Sequence, residues 1–177
     1  DEIVRASLHS IGVPESESWD WAIVGCYEAV VAGCEWARTI AGGTSLPHCV
    51  LGALGERPES FEALQAGTLE RLKSGIDEAV EAANAHEEYE AKWAPSPFQS
   101  VMMRDCIQQG IDIYSGGARY NYSACWPGCL ATGVDSLVAV KRVVYEDQAV
   151  TLEALLDALD RDFANSEDLR QMLVRRA

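Results

Sequence analysis

The sequence predicts an α/β fold. Three observations carry this reading. Apolar residues recur at helical spacing through most of the chain, short apolar runs stop at glycines, and glycine-rich stretches join the two kinds of segment.

The elements follow in order. Ile3, Val4, Leu8 and Ile11 lie at helical spacing, and Gly12 and Pro14 mark the stop, so residues 1–11 are predicted helical. Residues 15–20 read as a polar turn. Ala22-Ile23-Val24 is an apolar run halted by Gly25, the pattern of a buried strand turning into a loop. Residues 29–45 are small and mixed, with Gly33, Gly42 and Gly43, and predict an irregular backbone able to approach a ligand closely.

Residues 46–54 predict a short buried helix with Pro47 in its first turn. Phe61, Leu64, Leu69, Leu72, Ile76 and Val80 define an amphipathic helix over residues 59–92, interrupted near Gly75. Ser96-Pro97-Phe98-Gln99 reads as a capping box opening a helix that runs to Gln109 and stops at Gly110. Ile111, Ile113 and Tyr114 predict a short strand, with loop from Gly116-Gly117 onward to Gly133. Asp135 is the predicted N-cap of a helix through Leu137, Val140, Val143 and Val144. Thr151 caps another helix, and Asn165 or Ser166 caps a last one through Leu173.

With 177 residues and 48% hydrophobic content, the chain is long enough for one domain with a real core. Its net charge of −14 repels phosphate backbones and anionic membrane surfaces, so neither nucleic acid nor membrane is an expected partner. No apolar run approaches the ~20 residues that cross a bilayer, and no export signal opens the chain. The first residue is Asp1 and the chain stops at Arg175-Arg176-Ala177, so both ends look cut. Six cysteines in a chain with no sign of secretion and enough apolar residues to fold without disulfides point to reduced thiols in a cytoplasmic setting, and the lack of a Cys-x-x-Cys pair argues against a metal site.

The stretch of greatest chemical interest is Gly25-Cys26-Tyr27-Glu28. In an extended loop, residues 26 and 28 face the same side, so a thiol and a carboxylate share one pocket. The alternative is a small buried thiol beside a solvated charge. His9 and His48 are the partners a cysteine hydrolase at Cys26 would need, and their presence is the only support for that reading.

Several segments, taken in order, resemble the glycyl radical enzymes of the pyruvate formate-lyase-like superfamily. They are Val24-Gly25-Cys26-Tyr27-Glu28 with Gly33, then Ser96-Pro97-Phe98-Gln99-Ser100, then Cys106-Ile107 and Gly110-Ile111-Asp112-Ile113. Gly116-Gly117-Ala118-Arg119-Tyr120-Asn121 is the most recognisable block, and Asp135-Ser136-Leu137 and Ala158-Leu159 follow. The sequence departs from the family pattern at Ala29, where a proline is usual, and in the cysteine-rich Cys125-Trp126-Pro127-Gly128-Cys129.

The resemblance implies that residues 1–177 form part, the second half, of a ten-stranded barrel, without the C-terminal glycyl radical domain. It implies a thiyl radical at Cys26 and a general base at Glu28, the pair of the diol, glycerol and hydroxyproline dehydratases and of choline trimethylamine-lyase. The substrate would be a small hydroxylated molecule. No cofactor would be bound in this chain; the radical would be installed elsewhere by a radical-SAM [4Fe-4S] activase, in an anaerobic, homodimeric enzyme. Gly116, Gly117 and Asn121 would belong either to an active-site loop or to a tight structural turn. An inactive fragment or paralogue, an arylacetate decarboxylase and a formate acetyltransferase-type member are the alternatives. The last is disfavoured because Cys26 lacks an adjacent cysteine.

Overall fold

The computed structural model describes residues 1–24, 28–40, 44–125 and 128–176. Cys26 with its neighbours Gly25 and Tyr27, the pair Gly42 and Gly43, and Trp126 and Pro127 lie outside the described residues. The chain divides into two compact units, Asp1–Ile40 with Glu81–Ala124, and Ala41–Val80 with Cys125–Ala177.

The first unit opens with helix α1 (Glu2–Ser10). Gly12 follows at φ +92°, and the N–H of Val13 returns to the Leu8 carbonyl at 3.1 Å, closing the helix end as the Gly-Pro signal predicts. Strands β1 (Trp21–Val24) and β2 (Glu28–Val31) pair antiparallel, with Trp21 opposite Val31 and Val24 opposite Glu28. Strand β3 (Glu35–Ile40) pairs with β4 (Tyr120–Cys125) in a second two-stranded sheet. Leu8, Val13, Val31 and Cys34 form the buried cluster here, with Val4, Trp21 and Tyr120 packed against it.

The first unit corrects several expectations. β1 is a strand but not a buried one: Ile23 is 52% exposed and Val24 42%, because the apolar run lies at the far end of the hairpin from the cluster around Val31. Within the stretch expected to be irregular, residues 29–31 and 35–40 are extended, and Glu28 opens a strand instead of sitting in a loop. The helix expected from Ser96 to Gln109 is two, α4 (Pro97–Ser100) and α5 (Arg104–Gln109). Ser96 makes no side-chain cap. Its own N–H is instead taken by Asp112 Oδ2 at 2.8 Å, and the helix breaks at Met103, whose backbone is extended at φ −103° and ψ 124°. The expected strand at 111–114 is a 3₁₀ turn, Ile113–Ser115, because Asp112 Oδ1 accepts the Tyr114 N–H at 2.9 Å and curls the backbone.

The second unit is helical. It contains α2 (Leu46–Gly55), the first part of the 33-residue α3 (Phe61–Trp93), α6 (Leu130–Val140), α7 (Leu152–Asp160) and α8 (Glu167–Arg176). Its core joins Val50, Ala53, Leu54, Leu64, Val140, Val144, Leu152 and Leu155. Thr151 caps α7 as predicted, accepting from the Ala154 N–H at 3.2 Å.

Two corrections fall in this unit. α3 is unbroken at Gly75. A β-carbon there would overlap the Thr44 side chain, so the glycine is a contact point between segments and not a break. α6 starts at Leu130, ahead of Asp135, with Cys129 in the left-handed region at φ +57° as its N-cap. It continues into a π-helical turn, Lys141–Glu146.

Candidate active site

The Cys-x-Glu stretch falls where β1 and β2 are joined. Val24 and Glu28 face each other across the ladder, so residues 25–27 are the connection. Of the two predicted catalytic residues, Cys26 lies outside the described residues, and Glu28 is described by its backbone pairing alone.

The base of this hairpin is built in detail. The ladder is extended by the Ala32 N–H, which donates to the Asp20 carbonyl at 2.7 Å. Gly33 takes φ +71°, a conformation that favours glycine, and reverses the chain into β3. Glu35 then folds back so that its Oε2 accepts the Val31 N–H at 2.8 Å. This carboxyl is buried, and burial pushes its pKa up, opposed by the Val31 hydrogen bond. Tyr122 on β4 is raised for the same reason, with the charge of Glu35 adding to it.

Two neighbouring elements hold the hairpin base through its main chain. The Arg104 N–H, at the start of α5, donates to the Gly33 carbonyl at 3.0 Å. The Tyr120 N–H, at the start of β4, donates to the Cys34 carbonyl at 3.1 Å. The same two residues reach the other side of the base by their side chains. Arg104 pairs with Asp20 at 3.7 Å, and the Tyr120 hydroxyl donates to Glu17 Oε2 at 2.7 Å.

Arg119 ties these arms together. Its Nη1 donates to Glu17 Oε1 at 2.6 Å, while Nε and Nη2 donate to Asp105 Oδ1 at 3.2 and 2.9 Å. Asp105 is buried, and its Oδ2 has no hydrogen-bond partner among the described residues. The electrostatics match the geometry. Asp105 first, then Glu17, holds the Arg119 guanidinium above its ordinary pKa. Burial, followed by the bond to Glu17, pushes the Tyr120 phenol up to about 12.

Gly116, Gly117 and Asn121 meet at the entry to β4. Gly116 adopts φ +85°, and a β-carbon on it would stand 3.4 Å from Asn121 Nδ2. A β-carbon on Gly117 would overlap the Ile111 carbonyl and crowd Cys106 Sγ. Both glycines therefore have a steric reason in the turn itself. Asn121 is exposed.

Other candidates are dispersed. The His9 Nε2 lies 2.7 Å from Glu15 Oε2 at the surface of the first unit. His48, in the second unit, borders an open cavity of about 330 Å³ with Thr44, Cys49 and Arg71. Cys34, Cys49, Cys106 and Cys129 are free thiols. Burial, then Asp112 and Asp105, raises the Cys106 pKa. Among the described residues no three His, Cys, Asp or Glu side chains converge on a metal position, and no helix is long and apolar enough to cross a membrane.

Sequence reasoning missed Glu17, Asp105 and Glu35. Glu17 lies 102 residues from Arg119, and nothing local marks it. Asp112 was visible only as one residue of the Gly-Ile-Asp-Ile block. It proves to be a hub whose Oδ2 also lies 2.9 Å from the Ser100 hydroxyl, which in turn accepts the Ile113 N–H at 2.9 Å.

Comparison with known proteins closes the question of kinship. The chain is 33% identical over 115 residues to trans-4-hydroxy-L-proline dehydratase of Clostridioides difficile, covering 65% of this chain and 15% of that protein. It is 25% identical to (2S)-3-sulfopropanediol dehydratase of Klebsiella oxytoca over 89% of this chain and 21% of that protein. The solved structure of hydroxyproline dehydratase from Clostridioides difficile superposes with a TM-score of 0.86 at 26% identity, over 94% of this chain and 23% of that one. The glycerol-bound B12-independent glycerol dehydratase from Clostridium butyricum gives 0.82 at 27%, over 97% and 24%. The chain thus spans between 15% and 24% of the length of these relatives. The family described as pyruvate formate lyase-like matches residues 1–177 from end to end, and the chain belongs to that family, the glycyl radical enzymes.

Proposed function

We propose that the protein of which this chain is part is a glycyl radical lyase, a dehydratase or C–N or C–S lyase acting on a small hydroxylated substrate. What supports this reading is the sequence Cys26-Tyr27-Glu28 in a chain that superposes over 94% of its length on hydroxyproline dehydratase. In the whole protein the segment forms the second half of a ten-stranded barrel.

The chemistry assigned to this chain has two parts. A thiyl radical at Cys26 takes a hydrogen atom from the substrate carbon bearing a hydroxyl, forming S–H as C–H breaks. The exchange is close to thermoneutral because the two bonds are of similar strength. The Glu28 carboxylate takes the hydroxyl proton, which requires it within hydrogen-bond reach. The resulting ketyl radical anion expels the neighbouring leaving group with its electron pair, and the proton held by Glu28 passes to that group, so that a hydroxide leaves as water and the carboxylate is restored. The product radical then takes the hydrogen atom back from Cys26, restoring the thiyl. Apolar walls keep water and other hydrogen donors from the radicals. The radical comes from a glycyl residue outside this chain, installed by a radical-SAM [4Fe-4S] activase. The intact enzyme is read as cytoplasmic and homodimeric. An inactive paralogue, or an arylacetate decarboxylase using the same pair, is the competing reading.

The test is turnover of the activated intact protein on trans-4-hydroxyproline, glycerol, 1,2-propanediol and 3-sulfopropanediol. Cys26→Ala and Glu28→Gln are each expected to abolish turnover while the glycyl radical signal still forms in electron paramagnetic resonance. Full activity in either variant removes the role assigned to that residue.

A further inference from the structure

The hairpin that carries Cys26 and Glu28 is gripped at its base from both sides. Tyr120 holds the Cys34 carbonyl with its N–H at 3.1 Å and Glu17 with its hydroxyl at 2.7 Å. Residue 17 precedes β1 and residue 34 follows β2, so one residue of β4 touches both legs. Arg119 reinforces this by joining Glu17 to the buried Asp105 of α5 through three hydrogen bonds. A guanidinium is suited to the task because its rigid fork serves two carboxylates at fixed angles.

We propose that Arg119 and Tyr120 are positioning residues that fix the orientation of the hairpin, and with it the geometry of Cys26 and Glu28. This rests on the catalytic reading of that pair given above. Neither residue touches substrate in this scheme. Their effect passes through Glu17 and the Cys34 carbonyl to the two strands. Hydrogen-atom transfer demands close alignment of the reacting atoms, so a displacement of about 1 Å lowers turnover by as much as ~100-fold while leaving substrate binding almost unchanged.

The alternative is a fold staple with no bearing on the pair. Three conservative variants separate the two: Tyr120→Phe removes only the hydroxyl, Arg119→Lys keeps charge without the fork, and Glu17→Gln keeps size and an acceptor. Arg161→Lys, in the exposed pair with Asp157, serves as control. Two readouts are used. In the activated intact protein, kcat is expected to fall about tenfold in Tyr120→Phe and Arg119→Lys, with KM within about twofold and an unchanged radical signal. In the intact protein before activation, the rate of Cys26 alkylation by iodoacetamide is followed by peptide mass spectrometry. Exposed Cys129 is the internal reference, and buried Cys49 and Cys106 report whether the fold has loosened.

The clamp predicts an altered Cys26 rate with Cys49 and Cys106 still protected. An unchanged Cys26 rate in all three variants, with a lowered melting temperature alone, overturns it. The alkylation readout needs no substrate. An active Cys26→Ala protein therefore removes the enzymatic reading, while the alkylation ratios still decide the clamp.

Discussion

The Tyr120 hydroxyl donates to the Glu17 carboxylate at 2.7 Å across 103 positions of sequence, joining the segment before β1 to the first residue of β4. This contact has a pH signature. The Tyr120 pKa is raised to about 12 from an ordinary 10, so the folded protein holds the phenolic proton more tightly than the unfolded chain. The stability this contributes is fully present below pH ~10 and is lost as pH rises through about 12. Ultraviolet titration at the tyrosinate band is expected to show one phenol ionising last, and Tyr120→Phe to remove it. The variant also loses about 1 kcal/mol near neutral pH and shows a shallower alkaline decline than the parent in denaturant melts.

Gly117 and Gly110 offer a controlled comparison. Gly110 ends α5 at φ +66° with open space around its α-carbon, so Gly110→Ala meets only the left-handed strain, about 1 kcal/mol. Gly117 has the Ile111 carbonyl where a methyl group would go, and a backbone atom cannot swing aside. Gly117→Ala is expected to cost roughly 3 kcal/mol in urea unfolding. Equal costs at the two positions contradict the assigned packing.

Asp112 is the third test. Its two oxygens serve the Ser96 N–H, the Ser100 hydroxyl and the Tyr114 N–H. Asp112→Ala leaves the Ser96 and Tyr114 N–H groups short of a partner, while the Ser100 hydroxyl keeps the Ser96 carbonyl at 2.8 Å, and the variant is expected to destabilise by about 2–3 kcal/mol; Ser100→Ala costs less. Proteolysis should report the change locally, with earlier cleavage between residues 94 and 116.

Glu167 tests the acid limb. Hydrogen bonds from Arg170 and Gln171 hold its carboxyl at about 2. The contribution is present above the ordinary pKa of 4.5 and is lost as pH falls toward about 2. The group is fully exposed, so the gain is small and falls in salt. Carbon-detected NMR of the side-chain carboxyl is expected to place its midpoint well below those of other glutamates, and Arg170→Ala to return it to the ordinary range.

Helices were the legible part of the fold, because a 3.6-residue period survives in sequences such as Leu152–Asp160 and Phe61–Trp93 without knowledge of neighbours. The strands were less so. β3 alternates small or polar with large residues, Glu-Trp-Ala-Arg-Thr-Ile, and β4 does so only over Tyr-Asn-Tyr-Ser, but glycines on either side suggested loops. What makes them strands is each other, a pairing between residues some 85 positions apart. The same limit governs the site. The Cys-x-Glu stretch and the Gly-Gly-Ala-Arg-Tyr-Asn block stood out as resemblances, whereas Glu17 and Asp105 gain meaning only when the chain brings Arg119 to them. The capping box failed for a related reason: the Ser96 N–H found a stronger acceptor in the distant Asp112 carboxylate.

Two of the acceptors at the hairpin base, those of Gly33 and Cys34, are backbone carbonyls. Their hold on Arg104 and Tyr120 does not depend on which side chains residues 25–27 carry. A frame of this kind lets the join between β1 and β2 be rewritten, by evolution or by an engineer grafting other reactive groups there, while the support beneath it stays in register.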